Sequence, residues 1–452
     1  MNPVGLLVGL VAMVSGASHG LPVHFQLNER GISESVRTGG GPLVDPSNPF
    51  FQPLGTNGRS CASCHAPEDN FTITPEHLQA RFNQTRGQDP IFHNNDGTNA
   101  PEADLSTLAA RRRASSLLLS RGTIRVGIGM PPSADFDLVD IQDPYGHASA
   151  QELSLFRRPL PATNLDLVTV MHDGRETFPG QSLGFNLAHQ AMDATLGHAQ
   201  ASHAPTQAQL DAIVDYETHL FTAQVFSFTA GLLMVNGAQG GPAPLSRQAY
   251  YPGINDLFGD PQTGGLFNSQ AMTVFDAWPT TAHHWLDAGQ AAVARGEAIF
   301  NTRTLHIQGV AGINDNPAFG SPAEVDGTCS TCHDAPNVGN HSVGLPLNLG
   351  IADAHPLANL DTQGLPLYTF RSKATGELKV LTDPGVGLLT GKFTDLGKFK
   401  GPTLRGLSGR APYFHNGSAH SLRDVINFYG ARFKMHLTAG EKADLEAFLS
   451  SL

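Results

Sequence analysis

The sequence reads CASCH at 61–65 and CSTCH at 329–333, and these two pentapeptides hold all four cysteines of the 452-residue chain. Thiols confined in this way must pair with each other, bind a metal or be bonded to something else. A structural zinc site of four cysteines sets its two CxxC pairs roughly 15–20 residues apart, whereas Cys329 lies 265 positions beyond Cys64 (329 − 64). A thioredoxin-type redox centre needs one CxxC in a βαβ setting and gives no reason for a histidine after both pairs. A disulfide inside either CxxC would close a very small loop and add little stability. The reading that remains is covalent attachment of two c-type haems. Cys61 and Cys64, then Cys329 and Cys332, would add to the vinyl groups, with His65 and His333 as proximal iron ligands.

The surroundings of the motif are also repeated. CASCHAP is echoed by CSTCHDAP, MHDG (171–174) by FHNG (414–417), and Ser182-Leu183 by Ser421-Leu422. Two further stretches match, TQAQLDAIVDYETHL (206–220) and TAGEKADLEAFLSSL (438–452). Each opens on Thr with Gln209 or Glu441 three residues later, a capping box. Ile213, Tyr216 and Leu220 of the first fall on Leu445, Phe448 and Leu452 of the second, an i, i+3, i+7 apolar stripe. LDAGQAAVARGEAIFN (286–301) predicts another helix ahead of the second motif. The pattern predicts a mainly α fold of two cytochrome c-like haem domains with long loops. Residues 21–235 would hold one haem and 286–452 the other, with a Gly/Pro-rich linker over 236–285. A chain of this length is expected to split into more than one core.

Residues 4–16, VGLLVGLVAMVSG, form an apolar run of signal-peptide length followed by the small residues of SGAS. The run is too short for a comfortable membrane span, so residues 1–20 are expected to direct export to the periplasm. No Lys or Arg precedes the run, and the first charged residue is Glu29. An uncleaved anchor or a buried helix is the alternative. The net charge of −12 argues against a nucleic-acid partner, which needs a basic face, and suits a basic protein partner.

Aligning the Ser-Leu pairs sets SLGFNLAHQ against SLRDVINFY, so His189 and Gln190 take the places of Phe428 and Tyr429. If this segment covers the far side of each iron, the two haems differ there. A low-spin electron carrier uses two protein ligands, whereas an iron that activates peroxide or oxygen needs an open position. The ordinary alternatives are a packed Tyr429 with its hydroxyl on a backbone carbonyl and a partly exposed His189 on a helix.

GKFKGPTLRGLSGRAPYFHNGSAHSLRDVINFYG (397–430), with the two CxxCH motifs and the DGR of Asp173–Arg175, resembles the bacterial di-haem cytochrome c peroxidase and MauG family. The match is specific over roughly 286–452; in the first half it is confined to the CxxCH and DGR segments. The resemblance implies an N-terminal haem that reacts with peroxide and a C-terminal haem that passes electrons to it. It implies a distal ligand at Tyr429, where peroxidases of the family carry Met and MauG carries Tyr, with Met435 as a competing ligand. The family's distal glutamate falls on His189, which could move the peroxide proton in its place. The stretch 103–127, where the peroxidases carry a displaceable distal His, contains no histidine, and His77 is nearest to taking that part. Calcium between the domains is implied by the family alone.

The expected protein is an exported di-haem oxidoreductase that reduces hydrogen peroxide or uses it to oxidise a partner, with His189 and Gln190 as its catalytic residues. Arg405 is expected to bind a haem propionate, and Trp278 and Trp285 to carry electrons between domains. Its partner would be a small redox protein (a cytochrome c or a cupredoxin) or a protein substrate, and a homodimer is one assembly open to it. A non-enzymatic di-haem electron carrier and an oxygen-dependent di-haem oxygenase are the rival readings.

Overall fold

The computed structural model describes residues 20–165, 169–282, 284 and 287–452. The expected signal peptide (apart from Gly20) and Trp285 lie outside them. In chain order the elements of the first half are β1 (Val23–Asn28), β2 (Gly31–Arg37), α1 (Pro75–Thr85), α2 (Leu108–Ala114), α3 (Ser116–Arg121), β3 (Ile124–Ile128), β4 (Phe136–Gln142), β5 (Leu153–Arg157), α4 (Leu183–Gly197), α5 (Gln207–Thr218), β6 (Leu220–Ser227) and β7 (Gly231–Leu232). There follow α6 (Pro242–Leu245), α7 (Ala288–Thr302), β8 (Leu305–Gln308), β9 (Glu324–Gly327), β10 (Leu367–Ser372), β11 (Leu378–Leu381), α8 (Gly387–Thr390), α9 (Leu422–Arg432) and α10 (Ala439–Leu449).

A mainly α fold is therefore wrong: 29% of the chain is helix and 16% strand. The strands form a four-stranded sheet in the order β1-β2-β6-β7, a three-stranded sheet β11-β10-β4 and two pairs, β3-β5 and β8-β9. The reason is visible in VHFQLNERGISESVR. Its two short runs flank a turn that ends at Gly31, and they pair antiparallel with Val23 opposite Val36 and Asn28 opposite Gly31. A glycine is required there, because a Cβ on Gly31 would meet Phe226 O at 1.9 Å. Helical repeats dominate the sequence pattern, while short strands of mixed polarity such as β2 (GISESVR) give no period-2 signal.

The helices that close the two halves form as their sequences predict. Thr206 with Gln209 and Thr438 with Glu441 make capping boxes at α5 and α10. Ile213, Tyr216, Leu220, Leu445, Phe448 and Leu452 are all buried. Helix α10 lies against α7 at Gly296, whose missing side chain admits Asp444 O and Phe448 Cβ. The Gly/Pro-rich stretch after residue 236 is packed: Met272, Val274, Phe275 and Trp278 join Phe300 and Phe448 in one core cluster.

The sequence echoes recur as matched backbone bonds. Asn164 N donates to Leu220 O at 2.9 Å, and Gly406 N donates to Leu452 O at 3.1 Å. Between the halves the exchange is reciprocal, with Arg158 N donating to His415 O at 2.7 Å and Lys400 N to His172 O at 3.0 Å. These two histidines come from MHDG and FHNG, and their rings lie 6.2 Å apart. One contact is thus used twice, as in a two-fold dimer interface, but within one chain. Strand β4 pairs with β10 across the same divide. Arg157 holds Asp383 through two bonds of 2.7 and 2.8 Å and also binds Asp173. Among the described residues no helix is long and apolar enough to cross a membrane.

Candidate functional site

Both CxxCH motifs adopt the same local geometry. Cys61–Ser63 and Cys329–Thr331 are single 3₁₀ turns capped by Ser60/Ser63 and Thr328/Thr331, and they end on Cys64 at φ −114°, ψ −15° and on Cys332 at φ −116°, ψ −14°. His65 Nδ1 bonds Phe71 O at 3.2 Å, and His333 Nδ1 bonds Gly339 O, in each case six residues further on. An imidazole held through Nδ1 to a carbonyl presents Nε2 as the donor, which is how metal-bound histidines are oriented. Burial pushes His65 down to about 4 and also lowers His333, so both rings are neutral near pH 7. All four thiols are free. Burial pushes Cys64 up to about 11 and Cys329 and Cys332 up to about 12. Buried thiols of this kind make a poor redox pair, whereas consumption in thioether bonds suits them.

Each motif opens on a cavity. Cys61, Cys64 and His65 line one of about 160 Å³; Cys329, Cys332 and His333 line one of about 240 Å³. Packed interiors hold few voids larger than a water, so cavities of this size are built for an occupant. Residues 158–161, His172 and Lys400 line both, forming one shared wall. This wall is cationic. Arg158 donates to the carbonyls of Arg121, Ile73 and Arg410, and Lys400 Nζ donates to Thr169 O at 2.7 Å. Burial pulls Lys400 down to about 7 and Arg158 down to about 10. Buried cations bonded to carbonyls are stabilised by an added carboxylate, so apolar walls with this edge fit two haems and their propionates.

The helices over the two cavities correspond position by position. Leu183, Leu187, Gln190 and Ala194 of α4 line the first. Leu422, Ile426 and Tyr429 of α9, with Phe433 just beyond it, line the second. Aligning Ser182 with Ser421 makes these the same four positions, so Gln190 is the counterpart of Tyr429. His189, one residue off that face, lies outside the cavity lining, as does its counterpart Phe428. The His189 Nδ1 instead donates to Glu176 Oε2 at 2.8 Å, and its ring packs on Phe178 at 4.6 Å. Tyr429 and Met435 both line the second cavity. Burial drives the Tyr429 phenol far above its ordinary value, and its hydroxyl has no hydrogen-bond partner among the described residues.

The other expected residues lie elsewhere. Arg405 is fully buried and lines neither cavity; its Nη2 donates to Gly241 O at 3.2 Å while Nε and Nη1 find no partner among the described residues. His77 bonds Asp69 at 2.6 Å and stands away from the lining. Trp278 is core, with its Nε1 donating to Val235 O at 2.9 Å. Glu217 and His198 also line the first cavity; sequence reading missed Glu217 and held His198 only as a fallback to His189. Burial alone pushes the Glu217 carboxyl up to about 8. His198 was legible as a continuation of the i, i+4, i+7, i+11 face of α4 by one more turn.

No protein-family model matches the chain. It is similar to the cytochrome-c peroxidase IdrP2 of Denitromonas iodatirespirans, 31% identical over 142 residues that make up 28% of this chain and 36% of that protein. The cytochrome-c peroxidase IdrP1 of Pseudomonas sp. (strain SCT) is 30% identical over 147 residues, 27% of this chain and 36% of its own length. The match thus spans 36% of the length of either relative. A solved MauG-like protein associated with microbial copper homeostasis aligns over 90% of this chain and 86% of its own at 16% identity, with a TM-score of 0.39, too low a value to carry an argument. The curated relatives bear out the resemblance to bacterial cytochrome c peroxidases.

Proposed function

We propose that the chain is an exported di-haem c-type oxidoreductase that reduces hydrogen peroxide or uses it to oxidise a partner protein. The observation that carries this reading is the pair of cavities, each opening on a CxxCH whose histidine is tied through Nδ1 to a carbonyl. Cys61, Cys64 and His65 would hold one haem within residues 21–235. Cys329, Cys332 and His333 would hold the other within 286–452. When bound, the haems supply one-electron chemistry and an iron site at which a peroxide O–O bond can be cleaved.

This chain's own residues set the difference between the two sites. In the first cavity Gln190 presents an amide, which can hydrogen-bond a peroxide oxygen and is a poor iron ligand. At the matching position of the second, Tyr429 presents a phenol, with Met435 nearby, and either can complete an iron's coordination. The first cavity is therefore read as the peroxide site and the second as the electron-storing or relaying site. Arg158 and Lys400 at the shared wall would bind propionates of both haems and exclude water between them. The apolar run at 4–16 supports export, and the net charge of −12 supports a basic redox partner or protein substrate. Calcium rests on the resemblance alone.

The test is the ferric protein's optical and EPR spectrum, followed by rapid mixing with peroxide. One high-spin and one low-spin haem with fast spectral change is the expected result. Two low-spin haems inert to peroxide would make the chain an electron carrier, and oxygen uptake without peroxide would make it an oxygenase.

A further inference from the structure

We propose that His198, anchored by Asp96, is the group that moves the peroxide proton in the first cavity; the proposal rests on reading that cavity as the peroxide site. His198 caps the C-terminus of α4, its N–H donating to Ala194 O, and it lines the cavity with Gln190 and His65. Its Nδ1 donates to Asp96 Oδ2, and the other carboxylate oxygen accepts from Arg59 Nη1. Both anchors are buried, Asp96 at 5% and Arg59 at 3% exposure. The remaining Arg59 bonds run to the carbonyls of Pro90 at 2.7 Å, Ile91 at 2.9 Å, His93 at 3.3 Å and His198 itself at 3.1 Å. The imidazole is thus fixed from behind by a hydrogen-bonded ion pair, the support that a proton-transfer group requires.

With Nδ1–H committed to Asp96, Nε2 is the basic nitrogen, and it has no protein partner among the described residues. The side chain is 35% exposed and lines the cavity, so Nε2 is within reach of a small molecule held there. The device belongs to one half only, since the Ser182/Ser421 alignment puts Leu437 at the corresponding place. His189 is also partly exposed and its Nδ1 is likewise held by a carboxylate, Glu176, but it lies outside the lining.

In the step assigned to His198, Nε2 takes the proton from one peroxide oxygen and returns it to the other as the O–O bond breaks, which releases the first water. Overall, one peroxide, two protons and two electrons give two waters. The electrons come from the one-electron donor protein of the proposed function, and the protons come from solvent by way of His198.

The haem-loaded wild type, His198→Gln and His189→Gln are mixed with hydrogen peroxide and, separately, with cyanide, whose binding from HCN also requires removal of a proton. His198→Gln should keep haem content and the resting ferric spectrum while both rates fall by roughly 10²- to 10⁴-fold. Unchanged rates in His198→Gln overturn the proposal, as does a loss confined to His189→Gln. A resting spectrum altered by His198→Gln overturns it as well, because His198 would then be an iron ligand. A wild type inert to peroxide overturns the functional reading instead, and the cyanide rates then decide for or against His198 as the base.

Discussion

At the scale of single residues the second cavity poses a choice between two side chains. Tyr429 stacks on Phe433 at 6.0 Å, and its hydroxyl has no hydrogen-bond partner among the described residues. Met435 is 3% exposed and lines the same cavity. A phenolate oxygen favours ferric iron, whereas a thioether favours ferrous iron and raises the potential. Tyr429→Phe should therefore alter the ferric optical and EPR spectrum of one haem, and Met435→Leu should not. Tyr429→Met should raise that haem's midpoint potential in a redox titration. A Tyr429→Phe protein with an untouched spectrum passes the ligand role to Met435. Sequence alignment pairs Tyr429 with Gln190, and both line cavities; it put weight on His189 because the family's distal glutamate falls there. The 100° turn per helical residue decides otherwise, placing 190 over the cavity and 189 beside it.

Elements were legible where periodicity and caps coincide. The helices opening at Thr206 and Thr438 carry both signals; among the strands β1 (VHFQLN) alternates apolar and polar residues while β2 (GISESVR) does not, and such short, uneven signals are easily outweighed by the helical repeat. The α7–α10 contact shows what pattern alone omits. Gly296 sits in the interior of α7, where alanine has about 1 kcal/mol better helix propensity. Yet a Cβ there would lie 2.0 Å from Asp444 O and 2.6 Å from Phe448 Cβ. Backbone cannot yield as a side chain can, so the helices must separate. Gly296→Ala should destabilise by about 1–3 kcal/mol, read as a lower urea midpoint with an unchanged m-value. A raised midpoint would mean that propensity outweighs the close approach.

For the whole molecule, the join between the halves is the main feature. Arg157 bridges Asp173 and Asp383, and all three are buried. Removing one carboxylate leaves an under-compensated buried guanidinium, which typically costs about 3–5 kcal/mol. Asp383→Ala should lower the thermal midpoint accordingly; a loss no greater than that of a surface substitution would refute the structural role. The pH dependence has a definite sign. Burial raises the Asp383 carboxyl, but Arg157 outweighs it and holds the folded value below the ordinary one. The stability contributed by ionised Asp383 is therefore complete above the unfolded value of about 3.9 and is lost as pH falls below it. The wild type should lose stability more steeply than Asp383→Ala on acidification, measured by denaturant midpoints between neutral pH and the acid transition.

The sequence by itself determined the two CxxCH motifs, the internal repeat and the closing helices. Each is written in contiguous residues: a pentapeptide, a matched tetrapeptide, a cap followed by an apolar stripe. Tertiary structure alone decided the rest. It brought Arg158 to His415 and Lys400 to His172, joined β4 to β10 and set Asp96 behind His198. These partners are separated by long stretches of chain. Their pairing follows from how the two halves bury their faces against each other, and no local pattern encodes that.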